Sequence, residues 1–252
     1  MTQSRHLAWQ GALNIRDLGG YPTIDGVETA WGVFVRGDNL CKLTEAGCAE
    51  LAEYGIRTII DLRSAGELSA ARHPFAERRA AEHEGIAYIN TPIIDDGDVR
   101  GAGPMGRVRS LQEMYDRILD WYGMRLGNAL RAAAEAPSGG VLFHCHAGKD
   151  RTGLMAMFLL SLAGVDQATI SADYALSNTY LGPLNSEILT NLAHDPAEQQ
   201  RVAVLLDTKA DIMDETQALI ATRYGGVSSY LASIDVTPDQ QTLLRRRIRG
   251  EA

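Results

Sequence analysis

The chain of 252 residues is 45% hydrophobic and 22% charged, long enough to bury a sizeable core and too ordinary in composition for a disordered, collagen-like or coiled-coil protein. Lys and Arg number 24 against 32 Asp and Glu, a net charge of −8, so the overall field repels nucleic acid and anionic lipid, and any bound anion must be held by a local site. Three cysteines, Cys41, Cys48 and Cys145, are too few for a disulfide framework. With no apolar signal segment in residues 1–10 the expected compartment is the cytoplasm, without excluding export by a route that needs no such signal.

Strand-like and helix-like runs alternate up to about Gly164. Val33-Phe34-Val35 predicts a short strand. Thr44 predicts the N-cap of a helix through Tyr54, closed by Gly55. Thr58 to Leu62 is a nearly continuous apolar strand, the pattern of a sheet covered on both faces, and Ser64 with Glu67 forms a capping box behind it. A charged helical stretch over Pro74–Glu84 precedes a strand at Ile86–Ile89. Asp95–Gly106, rich in Asp and Gly, predicts a mobile loop. Ser110 with Glu113 predicts a second capping box, opening one long helix that Pro137 stops.

Val141-Leu142-Phe143 predicts a central strand. The apolar run Leu154–Val165 predicts a buried helix, since its length of about 18 Å is far short of a bilayer core. Beyond Asp166 only helices are expected: around Ile170–Ser177, over Ala197–Ile220, and after the Thr237-Pro238-Asp239-Gln240 start signal. The last ends in Arg245, Arg246, Arg247 and Arg249, read as a solvated helix end that complements the dipole rather than a contact for lipid headgroups or a polyanion. The whole reads as one α/β domain over residues 1–252, with a core at about 10–165 and a helical layer at about 166–252.

Chemistry concentrates in His144-Cys145-His146-Ala147-Gly148-Lys149-Asp150-Arg151-Thr152-Gly153. A strand, a short loop and a helix N-terminus make an anion site, because the loop and first-turn N–H groups have no intrahelical partner. The spacing from Cys145 to Arg151 lets the backbone of His146, Ala147, Gly148, Lys149 and Asp150 curl around one tetrahedral oxyanion, with the sulfur beneath its centre. The planar fork of Arg151 suits two oxygens of the anion. Such surroundings lower a thiol pKa and make Cys145 a thiolate nucleophile. Thr152 is placed to hydrogen-bond the sulfur, and His144 to order the loop.

Other motifs fail on spacing. A Walker A loop ending at Gly148-Lys149 needs Gly where Phe143 stands and Ser or Thr where Asp150 stands. Adjacent His144, Cys145 and His146 cannot all converge on zinc, and no second ligand pair follows. Cys41 and Cys48 read as core packing within one helix.

His144, Cys145, Arg151 and Thr152 match the His-Cys-x5-Arg-Thr signature, so the chain resembles the cysteine-dependent protein tyrosine phosphatase superfamily. More narrowly it resembles the bacterial and fungal tyrosine/serine phosphatases, a group that includes a secreted mycobacterial lipid and protein phosphatase. Asn14-Ile15-Arg16-Asp17-Leu18-Gly19-Gly20, Asp61-Leu62-Arg63-Ser64 with Glu67, Asp173-Tyr174 with Ser177-Asn178, and Tyr224-Gly225-Gly226 with Tyr230-Leu231 extend the likeness along the chain. The resemblance implies a central, mostly parallel sheet of four to five strands flanked by helices. It also implies phosphomonoester hydrolysis through a cysteinyl-phosphate on Cys145, with the phosphate held by His146 to Arg151.

Phosphotyrosine, phosphoserine/threonine or phosphoinositides are the implied substrates and inorganic phosphate the product, with no metal, cofactor, nucleic-acid partner or stable membrane insertion. Lys149 could add charge for a polyphosphorylated headgroup. Two alternatives are an inactive phospho-ligand-binding module and a cysteine-loop sulfur transferase. The general acid stays open among Asp150 inside the loop, Asp95 with Asp96 on the glycine-rich connection, and Asp61 at its strand end. The competing role of Asp150 is to orient Arg151, and that of Asp61 is to pair with Arg63.

Overall fold

The computed structural model describes residues 4–71, 74–77, 85–94, 96–97 and 108–251. Its centre is a five-stranded sheet. The strands are β1 (Arg16–Asp17), β2 (Phe34–Gly37), β3 (Ile56–Asp61), β4 (Ala87–Asn90) and β5 (Gly140–His144), in spatial order β1-β2-β5-β3-β4. Only β1 runs antiparallel. The α/β class and mostly parallel sheet are thus as expected, with β5 in the middle and fully buried. Alternation on β5 divides two cores: Val141 and Phe143 face a large one with Phe34 and Ile60, and Leu142 faces a smaller one with Val35 and Ile59.

The smaller core is closed by α1 (Glu45–Glu53), capped by Thr44 as read and burying Cys48 and Leu51. The Ser64–Glu67 box is present at the start of α2 (Ala65–Ala70). It is followed by α3 (Pro74–Glu77); the rest of the Pro74–Glu84 stretch and most of the Asp95–Gly106 loop, Asp95 included, lie outside the described residues. Cys41 departs from its reading: it sits in a 3-10 turn, Leu40–Lys42, before α1, with its thiol donating to the Ala71 carbonyl at 3.0 Å and Arg63 Nη1 3.1 Å from the sulfur. Of this pair, Cys48 alone packs in the core as expected.

The long helix expected from Ser110 to Pro137 is two, α4 (Leu111–Trp121) and α5 (Gly123–Glu135), broken at Tyr122. Close packing explains the break, because a Cβ on Gly127 would lie 2.2 Å from the Ile234 carbonyl oxygen and one on Gly123 2.8 Å from Ile234 Cγ2. The second capping box is half formed. Ser110 accepts from the Glu113 N–H, but the Glu113 carboxylate takes the N–H of Arg109.

Helix α6 (Asp150–Ala163) is buried on nearly every side and ends at left-handed Gly164. Beyond it lie α7 (Gln167–Asn191), α8 (Pro196–Leu206), α9 (Ala210–Tyr224), α10 (Val227–Ser233) and α11 (Pro238–Arg249). The helix expected around Ile170–Ser177 runs on through Pro183 to Asn191. The one expected over Ala197–Ile220 is split at Asp207-Thr208-Lys209, because Asn178 takes that segment out of helix. Its amide donates to Asp207 and the Thr208 carbonyl, and its oxygen accepts both the N–H and the hydroxyl of Thr208. The Thr237–Gln240 box opens α11 as expected. At the end of α11, Arg247 donates to the carbonyls of Ala134, Ala136 and Pro137, and Arg249 pairs with Asp25 and Glu251. These two arginines of the basic cluster are structural. Among the described residues no helix is long and apolar enough to cross a membrane.

One buried ion network ties the sheet to the helical layer. Asp173 of α7 accepts from Arg16 Nε at 2.9 Å, from Arg36 Nη1 and from the Tyr21 hydroxyl, all fully or nearly buried. Burial opposes ionisation of Asp173, but the two guanidinium groups outweigh it and hold the carboxyl well below the usual carboxylate range. Asp173→Asn leaves two buried cations uncompensated and is expected to cost about 3–5 kcal/mol, read from the urea midpoint by circular dichroism; a loss under about 1 kcal/mol would contradict this account.

Candidate active site

Parallel strands place their carboxyl ends together. Gly37, His144 and Asp61 are in register across β2, β5 and β3, so the segments that follow them, Asp38-Asn39, Cys145–Lys149 and Leu62–Ser64, meet at one edge of the sheet. Cys145 leaves β5 2% exposed, and the chain enters α6 at Asp150. Gly148 makes the bend possible at φ +68, where a Cβ would sit 2.5 Å from the Gly37 carbonyl oxygen and 2.6 Å from the Asp38 nitrogen.

The loop's carbonyls are all held outward. Asn39 N–H donates to His146 O at 2.9 Å, Asn14 Nδ2 to Ala147 O at 3.0 Å, and Asn14 and Arg36 Nη2 to Gly148 O at 3.3 and 2.9 Å. Asp38 in turn accepts the N–H groups of Leu13 and Asn14 and so holds Asn14 in place. A peptide unit whose carbonyl points away turns its N–H the other way. Among the described residues no protein acceptor takes the N–H groups of His146, Ala147, Gly148 or Lys149. Four donors at a helix N-terminus form a nest for an oxyanion.

Arg151 is set by Glu67, which the sequence marks as a helix cap and as part of a resembling motif but not as the partner of Arg151. Glu67 accepts from Arg151 Nη1 and Nη2 at 2.6 and 2.7 Å, and Leu62 O takes a further Nη1 proton at 3.4 Å. Among the described residues three of the five guanidinium protons are engaged. The two left, on Nε and Nη2, lie along one edge and form a fork for two oxygens. Burial opposes ionisation of Glu67, yet the Arg151 pair wins and brings its carboxyl down to about 2.

The other readings fare differently. Asp61 is fully buried, held by Arg63 and the Tyr88 hydroxyl, with His144 Nε2 3.5 Å away. Burial raises its pKa, but His144 and Arg63 outweigh it and the carboxyl stays below its ordinary value. It belongs to the structural pair with Arg63. His144 Nδ1 bonds the Cys145 carbonyl at 3.1 Å, and burial pushes its ring below the ordinary histidine value. Asp96 accepts the Gly66 N–H at 2.7 Å, and Asp95 lies outside the described residues.

Asp150, half-buried, does not touch Arg151. Its Oδ1 takes the Tyr115 hydroxyl at 2.9 Å and Lys149 Nζ at 3.0 Å. Lys149 is neither a solvated loop lysine nor a free charge for a headgroup, because its ammonium also donates to the Leu205 carbonyl of α8 at 2.7 Å. Thr152 Oγ1 is buried with no hydrogen-bond partner among the described residues, so the expected bond to the Cys145 sulfur is not formed. Sequence reasoning missed Arg36, Asp38 and Asn39 altogether. Asn14 and Asp173 were visible only as resembling motifs.

A Cys-x5-Arg loop with inward amides at the carboxyl edge of a parallel sheet is the arrangement of a cysteine-loop phosphatase. The chain belongs to the tyrosine phosphatase family, whose model matches residues 7–250. It is 31% identical over 237 residues to a protein of Cupriavidus necator provisionally named a tyrosine-protein phosphatase, covering 91% of this chain and 84% of that one. It is 31% identical over 224 residues to a tyrosine-protein phosphatase of Nostoc commune, covering 87% and 74%. The triple specificity protein phosphatase PtpB of Mycobacterium tuberculosis is 27% identical over 274 residues, covering 94% and 96%. The chain is a phosphatase.

Because Glu67 is more acidic folded than unfolded, its pair with Arg151 stabilises the fold at neutral pH, and that contribution is lost as pH falls from about 5 toward 2. Glu67→Gln should therefore cost about 1–2 kcal/mol at pH 7, less than a fully buried pair because the Glu67 side chain is 27% exposed. The gap to wild type in urea midpoint should close on acidification. A gap that stays constant down to about pH 3 would mean the pair is not the source.

Proposed function

We propose that this phosphatase hydrolyses phosphomonoesters of proteins, phosphotyrosine and phosphoserine/threonine, through a cysteinyl-phosphate on Cys145. The observation that carries the proposal is the set of four unpartnered loop amides around Cys145, completed by the free edge of Arg151. In this reading the sulfur attacks phosphorus while the non-bridging oxygens lie on the amides of His146, Ala147, Gly148 and Lys149 and on the Nε–Nη2 fork. These donors are placed before the charge builds up, which is where preorganised sites gain their rate. The unpartnered Thr152 hydroxyl is left for the sulfur as it departs in the second step.

Asp150 is the proposed general acid. It stands at the loop's end with its side chain 18% exposed and with no donor to Oδ2 among the described residues, whereas Asp61 is fully enclosed by Arg63 and its neighbours. Broad substrate use is supported by the likeness to the relative named for triple specificity. Phosphoinositides are the weaker reading, because the Lys149 ammonium that would meet extra phosphates is engaged by Asp150 and Leu205. The helices beyond Asp166 are taken as part of the same phosphatase unit, since Asp173, Ser177 and Leu205 bond residues of the site or of its frame. A cytoplasmic location, suggested by three unpaired thiols, belongs to the same proposal.

Cys145→Ser should abolish turnover of p-nitrophenyl phosphate while inorganic phosphate still binds, because serine keeps the shape without a comparable nucleophile. Arg151→Lys should lower kcat by about 10²-fold, since an ammonium cannot replace the paired donors. Retained hydrolysis in the first variant, or a kcat within about threefold of wild type in the second, would overturn these roles. No step needs a metal, so activity should survive a chelator.

A further inference from the structure

Tyr115 lies on the apolar face of α4, and its ring is fully buried. Its hydroxyl, however, donates to Asp150 Oδ1 at 2.9 Å and lies 2.6 Å from the hydroxyl of Tyr174 on α7. A phenol has one proton. With that of Tyr115 given to Asp150, the contact between the two tyrosines requires Tyr174 to donate, so the chain runs Tyr174 O–H to Tyr115, then Tyr115 O–H to Asp150. Tyr174 is itself 1% exposed and packs edge-on against the Tyr115 ring at 6.2 Å.

The other donor to Asp150 arrives at the same oxygen, Lys149 Nζ at 3.0 Å. Oδ1 therefore has two donors, and Oδ2 has no protein donor among the described residues. A carboxyl proton placed on Oδ1 would face two N–H or O–H groups, so it belongs on Oδ2. Burial, followed by the Asp150 charge and Tyr174, pushes the Tyr115 phenol well above its ordinary value, which keeps it a donor at any working pH.

We propose that Tyr115, oriented by Tyr174, is a positioning residue for Asp150 that fixes the carboxyl so that Oδ2 serves the leaving group. This rests on the reading above that Asp150 is the general acid. As the sulfur–phosphorus bond forms, the electron pair of the P–O ester bond goes to the ester oxygen, and that oxygen takes the proton from Oδ2. The resulting carboxylate keeps both donors on Oδ1. In the second half, Oδ2 takes a proton from the water that attacks phosphorus, and the S–P electron pair returns to sulfur. The Tyr115 bond suits both charge states of the carboxyl, so proton transfer needs no rearrangement around it.

The test compares kcat/KM of the full chain on p-nitrophenyl phosphate, a good leaving group, with that on phenyl phosphate, a poor one. Tyr115→Phe keeps the ring and removes the donor. It should slow phenyl phosphate about tenfold, a fraction of what a general acid contributes, and p-nitrophenyl phosphate by less than about threefold. The basic limb of the kcat/KM pH profile should also move relative to wild type, which a merely structural loss would not cause. Inhibition by inorganic phosphate should stay unchanged.

Tyr174→Phe leaves the Tyr115 donor in place and should give the same pattern, weaker; if Tyr115→Phe does not fold, Tyr174→Phe carries the test alone. Asp150→Asn with Tyr115→Phe should be no slower than Asp150→Asn. Equal slowing of both substrates by both tyrosine variants, or a fixed basic limb, overturns the proposal. Should Asp150→Asn penalise the poor leaving group and Tyr115→Phe not, positioning fails while the acid stands. Should Asp150→Asn slow both substrates equally, the acid reading fails and takes this proposal with it.

Discussion

Three side-chain and backbone donors, from Asn14, Arg36 and Asn39, decide which way the peptide units between Cys145 and Lys149 face. A single inward carbonyl would set a partial negative charge where an anion must sit, in a chain that already carries −8. Everything else at the sheet edge can be ranked by its distance from that constraint. Asp38 holds Asn14, Asp173 holds Arg36, and the register of β2 against β5 brings Gly37 close enough to the loop that only a glycine fits opposite it.

Buried ions are an expensive way to build such a frame. Well-packed apolar residues of equal volume often give equal or greater stability than a buried ion network, and removing one partner costs several kcal/mol. The two networks here supply direction instead. Asp173 accepts from Arg16 Nε and Arg36 Nη1, which leaves Arg36 Nη2 for the Gly148 carbonyl. Glu67 takes the tip of Arg151 and leaves its long edge. In each case a carboxylate uses up some donors of a five-donor group and thereby aims the rest.

Local signals carried the reading far. Thr44, Ser64 and Thr237 cap their helices as their spacing implied, because an N-cap needs only a side chain and the next three residues. The Cys145–Arg151 spacing likewise specifies a cradle that the chain closes by itself. What failed depends on partners distant in sequence. Nothing near Thr208 announces that Asn178 will claim both its donors and split a helix, and nothing near Tyr122 announces the Ile234 carbonyl against Gly127. Tyr115 fits an apolar helical face, and its hydroxyl acquires meaning only when α4 packs beside Asp150. Lys149, exposed by any local criterion, is covered by a carbonyl 56 residues away.

The same long separations govern when the site can exist. Asp173 lies 157 residues from Arg16 and 137 from Arg36, so a growing chain makes both cations long before their counter-ion, by roughly 7 to 30 s at ordinary elongation rates. Until α7 docks, neither guanidinium can be taken out of water without penalty, and Gly148 O lacks one of its two holders. A fragment ending after α6 would contain Cys145, Arg151 and the whole sheet, yet would lack the counter-ion that sets its loop. Catalytic competence is therefore among the last properties that this chain acquires as it folds, a delay imposed by contact order rather than by the chemistry of the signature itself.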